Sequence, residues 1–133
     1  MMNFGSFVSD FLQKSVKLEE RAVYLSSKVI EEMIRQNKKW GVQNHPSVST
    51  KSQIRMEQFP ENVCKDLEIP TETRAKEICE TMFSSGDPNW AAILQEEVSE
   101  AVCAKTEQKR REELVQVAAV ALSWVDCLDR NSR

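Results

Sequence analysis

Three glycines and four prolines are all that interrupt this 133-residue chain, and their placement cuts it into lengths suited to helices. Gly41 follows Trp40, Gly86 precedes Asp87-Pro88, and Pro46, Pro60 and Pro70 fall between those two glycines. Nothing alternates at period two, so no sheet is expected. A chain of this length buries one modest core. The reading is therefore all-α: a single domain over residues 1–133, a bundle of four to five helices, with an irregular stretch at about 41–69 that is rich in Ser, Gln, Asn and Pro.

A short helix is predicted from Phe4 to about Lys14, with Phe7, Phe11 and Leu12 on one side. A longer one runs from Leu18 to about Lys39. Its Val23, Ile30 and Ile34, with Tyr24 and Leu25, form a stripe at helical spacing, and Gly41 ends it. Thr71 opens the next helix, which runs to Phe83. Asp87 is expected to cap the one after, with Pro88 at its first position and an end near Ala104. Thr106 then caps a last helix that continues to about Asp129. Small residues at Ala118 and Ala121 would let another helix approach closely.

Composition excludes several classes. A net charge of −3 and a pI near 5.3 argue against binding a nucleic-acid polymer through a basic surface. No run approaches the ~18 apolar residues of a membrane span. The N-terminus lacks a basic stretch followed by an apolar core, so no signal peptide is read and a cytoplasmic location is expected. Cys64, Cys79, Cys103 and Cys127 form no CxxC pair and are read as buried reduced thiols. With His45 the only histidine, neither a zinc site nor a Cys/His nucleophile finds its partners.

The chemistry concentrates in Glu96-Glu97-Val98-Ser99-Glu100 and in Glu113-Leu114-Val115-Gln116. Residues three apart share a helix face, so Glu97 pairs with Glu100 and Glu113 with Gln116. The break at Lys105-Thr106 lets the two segments fold back as a hairpin that gathers these groups into one cleft. Clustered carboxylates repel unless a cation lies between them. Hard oxygen donors without histidine or thiolate suit Mg²⁺ or Mn²⁺. Gln116 also interrupts an apolar run from Leu114 to Leu122, where a buried amide would need a partner.

A second group spans Arg35 to Pro46. Arg35, Lys38 and Lys39 supply cations, Trp40 an aromatic plane, and Gln43 and His45 hydrogen-bonding tips, which together suit a phosphate chain and a base. The same residues also suit a basic helix end that offsets the helix dipole, with Trp40 as a core anchor. Lys76, one helix before the glutamates, either reaches phosphate or is simply solvated.

The block from Thr71 to Arg130 resembles the MazG-like all-α nucleoside triphosphate pyrophosphohydrolases. The residues that carry the likeness are Ala75-Lys76, Gly86, Trp90 through Ala101 with its EExxE, and Arg111 through Ala121 followed by Trp124. Arg35 to Pro46 looks like the RQxxKWGxQxH stretch of one bacterial and phage-associated branch. The resemblance implies Mg²⁺ (or Mn²⁺) held by Glu97, Glu100, Glu113 and Gln116, with Glu96 or Glu97 taking a proton from the attacking water. It implies a nucleoside triphosphate as substrate, held by Arg35, Lys38, Lys39, Trp40, Gln43, His45 and Lys76. The products would be nucleoside monophosphate and pyrophosphate, in a house-cleaning role. It also implies a homodimer or homotetramer that completes the bundle. Two departures stand out. Gln116 occupies the place of the family's aspartate, and no Lys or Arg lies between Arg111 and Arg130, where the family keeps phosphate-binding lysines. These departures support an alternative: a non-catalytic nucleotide-sensing or dimerisation module that has lost part of the metal site.

Overall fold

The computed structural model describes residues 4–48 and 60–132, with side chains from residue 17 onward. The described residues form five α-helices and no strand. They are α1 (Phe4–Trp40), α2 (Pro60–Asp66), α3 (Glu72–Ser84), α4 (Trp90–Cys103) and α5 (Glu107–Asn131).

Three boundaries differ from the sequence reading. The two helices expected before Gly41 are one, because Ser15 and Val16 are only mildly unfavourable in a helix and no glycine or proline separates the segments. Part of the expected irregular stretch is helical, since Pro60 opens α2 at a position where its missing N–H costs nothing. Residues 49–59 lie outside the described ones. The cap of α4 is Asn89, not Asp87: the Asn89 carbonyl oxygen accepts from the Ala92 N–H at 2.9 Å, and Pro88 precedes the cap. Thr71 and Thr106 cap α3 and α5 as expected, accepting from Arg74 N at 3.2 Å and Lys109 N at 3.1 Å.

Glycine closes two helices. Gly41 has φ +73° and its N–H reaches the Asn37 carbonyl. Gly86 has φ +79°, its N–H reaches Phe83, and the Asp87 N–H reaches back to Met82, which satisfies the last carbonyls of α3. Glu68 ends α2 in the same left-handed region at φ 56°.

The described contacts group into two compact units, residues 1–43 with 125–133 and residues 44–124. In the larger, α4 packs against both α2 and α3. Its core is built from small side chains: Ala75 and Cys79 of α3, Val63 and Cys64 of α2, and Ala92, Ala101 and Cys103 of α4. Small residues allow close backbone approach, and the buried Ser99 hydroxyl uses it to donate to the Pro70 carbonyl at 2.9 Å.

The other unit holds α1 and the end of α5. Its central polar contact is Asp126, almost fully buried, which accepts from Arg21 at 2.7 Å and from Arg130 at 3.1 Å. Arg21 first, and Arg130 after it, hold the Asp126 carboxyl below its ordinary range. Leu25 is the one described α1 side chain that is fully buried. Val23, Ile30 and Ile34, from the expected helical stripe, are exposed, as are Val29 and Met33 on the same helix. The helical period is therefore present, but within one chain nothing covers that face among the described residues.

Candidate functional site

Glu97 and Glu100 of α4 meet Glu113 of α5. One carboxylate oxygen from each lies within 4.8 Å of the others. Arg110 of α5 contacts Ala101, while Glu113, one turn further on, reaches back to Glu97 and Glu100. Advancing along α5 thus retreats along α4, and over this stretch the two helices run antiparallel.

Burial makes the cluster costly as it stands. Glu113 is only 5% exposed, and Glu97 and Glu100 are half-buried. Oε2 of Glu97 and Oε2 of Glu113 are both fully buried and have no hydrogen-bond partner. A buried acceptor without a partner costs on the order of 1–3 kcal/mol, more when charged. The titration behaviour reflects the crowding. Burial pushes the Glu97 carboxyl above its ordinary range, helped by the charges of Glu113 and Glu96. Burial also raises Glu100 to about 7, helped by a hydrogen bond shared with Glu113 and by the neighbouring carboxylates. Below about pH 7 the cluster therefore holds a proton on Glu100, which donates it to Glu113. Glu113 itself is held below its ordinary range by Lys109, whose Nζ lies 2.8 Å from Oε1.

The remaining expected site residues are distributed differently. Glu96 sits beside the cluster and makes a hydrogen-bond contact with the buried Cys79 thiol, which burial raises to about 11. Gln116 is exposed, so the buried partner its apolar surroundings implied is not required. Lys76 is exposed on α3. Arg35, Lys38, Lys39, Trp40 and Gln43 are exposed and belong to the unit of α1. Arg35 forks onto Glu32, and Lys39 lies 4.7 Å over the Trp40 ring. Trp40, 64% exposed, is not a core anchor. His45 belongs to the larger unit, where it lines a cavity of about 530 Å³ whose walls include Val63, Leu67, Ala101, Val102 and Leu114. That volume is within the range of small-molecule sites.

Two residues that matter here went unread in the sequence. Lys109 neutralises part of Glu113, and its i,i+4 spacing was legible. Arg110 is 6% exposed and donates to the carbonyls of Ala101, Val102 and Ala104 at 2.7, 3.0 and 3.1 Å, while its Nε meets Glu107 at 3.1 Å. It thereby supplies donors to the open end of α4, where the helix dipole also favours a cation. Its i,i+3 pairing with Glu107 is local, but no local pattern marks its hold on the carbonyls at the end of α4.

Comparison with protein-family models, with curated proteins and with solved structures gave no match in any of the three. The functional reading therefore rests on the chain's own residues and on the motif resemblance.

Proposed function

We propose that this chain is a Mg²⁺-dependent nucleoside triphosphate pyrophosphohydrolase with a MazG-like helical fold. The observation that carries the reading is the pair of buried, unpartnered oxygens on Glu97 and Glu113 within a three-carboxylate cluster. A divalent ion would satisfy both oxygens and relieve the carboxylate repulsion that adds to burial in raising Glu97 and Glu100. When bound, it would neutralise triphosphate charge. Glu97, Glu100 and Glu113 would hold it. Glu96, adjacent to the cluster and outside it, would take the proton from the attacking water. The test is pyrophosphate release from a panel of nucleoside triphosphates with Mg²⁺. Glu97→Gln and Glu113→Gln should each lose activity by on the order of a hundredfold or more. Full activity in both variants, or no release from any triphosphate, would overturn the proposal.

The second reading, a non-catalytic sensing or dimerisation module, is favoured by one contact: Lys109 already supplies Glu113 with a positive charge. Gln116→Asp tests whether Gln116 belongs to the metal site. If the cluster binds metal with Gln116 as a weak ligand, the added carboxylate should tighten Mg²⁺ binding by roughly five- to a hundredfold. Because Gln116 is exposed, the melting temperature without metal should change little. Unchanged affinity by titration calorimetry would remove Gln116 from the ligand set.

A homodimer or homotetramer belongs to the same proposal. Its support is the uncovered face of α1, with Val23, Ile30 and Ile34 each more than half exposed, and the exposure of Val125 and Leu128 of α5 in the same unit. Trp124 is partly exposed, while the side chains of Phe7 and Phe11 lie outside the described ones. Sedimentation at micromolar concentration should show no free monomer. A stable monomer would mean that this face is not a self-association surface.

A further inference from the structure

Cys64 on α2 and Cys103, the last residue of α4, bring their Sγ atoms to 3.1 Å across 39 residues of chain. That is about 1 Å longer than a disulfide bond. Both side chains are buried, Cys64 completely. The pair is not a fragment of a metal site: among the described residues, the one cluster of His, Cys, Asp or Glu able to hold an ion is the glutamate trio. Nor does the proposed hydrolysis use either thiol. Two sulfurs already in contact, on two helices that pack together, need only a small closing movement to bond.

We propose that Cys64 and Cys103 form an oxidisable pair that hydrogen peroxide converts to a disulfide, fastening α2 to α4. Cys103, the less enclosed at 7% exposure, reacts first. Its sulfur attacks one peroxide oxygen, the O–O bond breaks, and water leaves with the thiol proton, giving a sulfenic acid. The Cys64 sulfur then attacks the Cys103 sulfur. The S–O bond breaks, and the departing hydroxide takes the Cys64 proton as a second water. Two thiols lose two electrons and two protons, and one peroxide becomes two waters. Burial raises the Cys64 thiol to about 12, so it is a poor first nucleophile and suits the resolving role, where its proton has an acceptor at hand. A dithiol reductant reverses the bond by exchange.

The bond would act on neighbouring residues. Val63 adjoins Cys64, and Val102 adjoins Cys103, and both line the 530 Å³ cavity. A disulfide would fix those two walls together.

The test uses the full chain. Native protein is treated with peroxide, remaining thiols are alkylated, and peptides are mapped without reduction. The expected product joins Cys64 to Cys103 and leaves Cys79 and Cys127 open to alkylation. Its melting temperature should rise by on the order of 10 °C and return on reduction. Burial slows peroxide entry, so the same mapping is done on chain refolded from urea in a glutathione redox buffer, where access does not limit the outcome. Cys103→Ala should lose the shift. Should that variant fail to fold, the wild-type refolding result still decides. A refolded chain with both thiols free, a dominant disulfide between other cysteines, or an oxidised form that melts below the reduced one would each overturn the proposal.

Discussion

Replacing Arg110 with methionine is expected to cost about 3–5 kcal/mol of stability, the net of three carbonyls losing their donor against the gain from burying an apolar side chain. Arg110 donates to three carbonyls at the end of α4 and also meets Glu107. Methionine fills similar space but donates nothing, so three carbonyls lose their donor where water has little access. Each such loss falls in the ~1–3 kcal/mol range, partly offset by the better burial of an apolar side chain. Chemical denaturation should show the change as a lower midpoint, and thermal melting as a drop on the order of 10–20 °C. Arg110→Lys should recover only part of the loss. It keeps the charge at the helix end but offers one ammonium in place of a planar fork. A methionine variant within about 1 kcal/mol of the parent would mean that water serves those carbonyls and that Arg110 is not what holds the hairpin.

The same contact explains why part of this protein was legible and part was not. Periodicity and caps are local, so the helices from Thr71 onward, the Thr71 and Thr106 caps and the glycine ends could be read directly. The glutamate cluster was readable because the doubled i,i+3 spacing is also local, and a short turn leaves few ways to bring the two segments together. The Asn89 cap was misplaced by two residues because Asp87, Pro88 and Asn89 all carry start signals, and only backbone geometry chooses among them. The exposure of Gln116 could not be read. An apolar run implies a buried face only when something covers it, and the run around Gln116 includes Leu114 and Val115, each more than half exposed. The Arg110 contacts depend on how the turn after α4 folds back, and the Cys64–Cys103 contact joins two helices across 39 residues, and no spacing rule reports either.

Mg²⁺ binding is expected to release a proton below neutral pH and to weaken as pH falls. Glu100 titrates at about 7, raised first by burial and then by its hydrogen bond with Glu113 and the charges around it. A metal ligates the carboxylate and not the acid, so below pH 7 the ion must displace that proton. The dissociation constant should therefore rise roughly tenfold per pH unit on the acid side and level off above it. Calorimetry in two buffers of different ionisation heat reads the proton count, which should be close to one at about pH 6 and near zero at about pH 8.5. Stability without metal carries the opposite sign. A carboxyl raised on folding contributes stability that is fully present below its ordinary range and lost as pH rises through about 7, and Glu97, also raised, acts in the same direction. Glu113, lowered by Lys109, contributes above the ordinary range and loses that contribution as pH falls. The metal-free protein should thus lose melting temperature between about pH 5.5 and 8 more steeply than Glu100→Gln, whose amide imitates the protonated acid. Mg²⁺ should recover that loss at the higher pH and do little at the lower. In Glu100→Gln the released proton should disappear and binding at pH 8 should weaken. Measurable Mg²⁺ binding at pH 6 with no proton released would place the ion outside Glu100 and break the three-glutamate assignment.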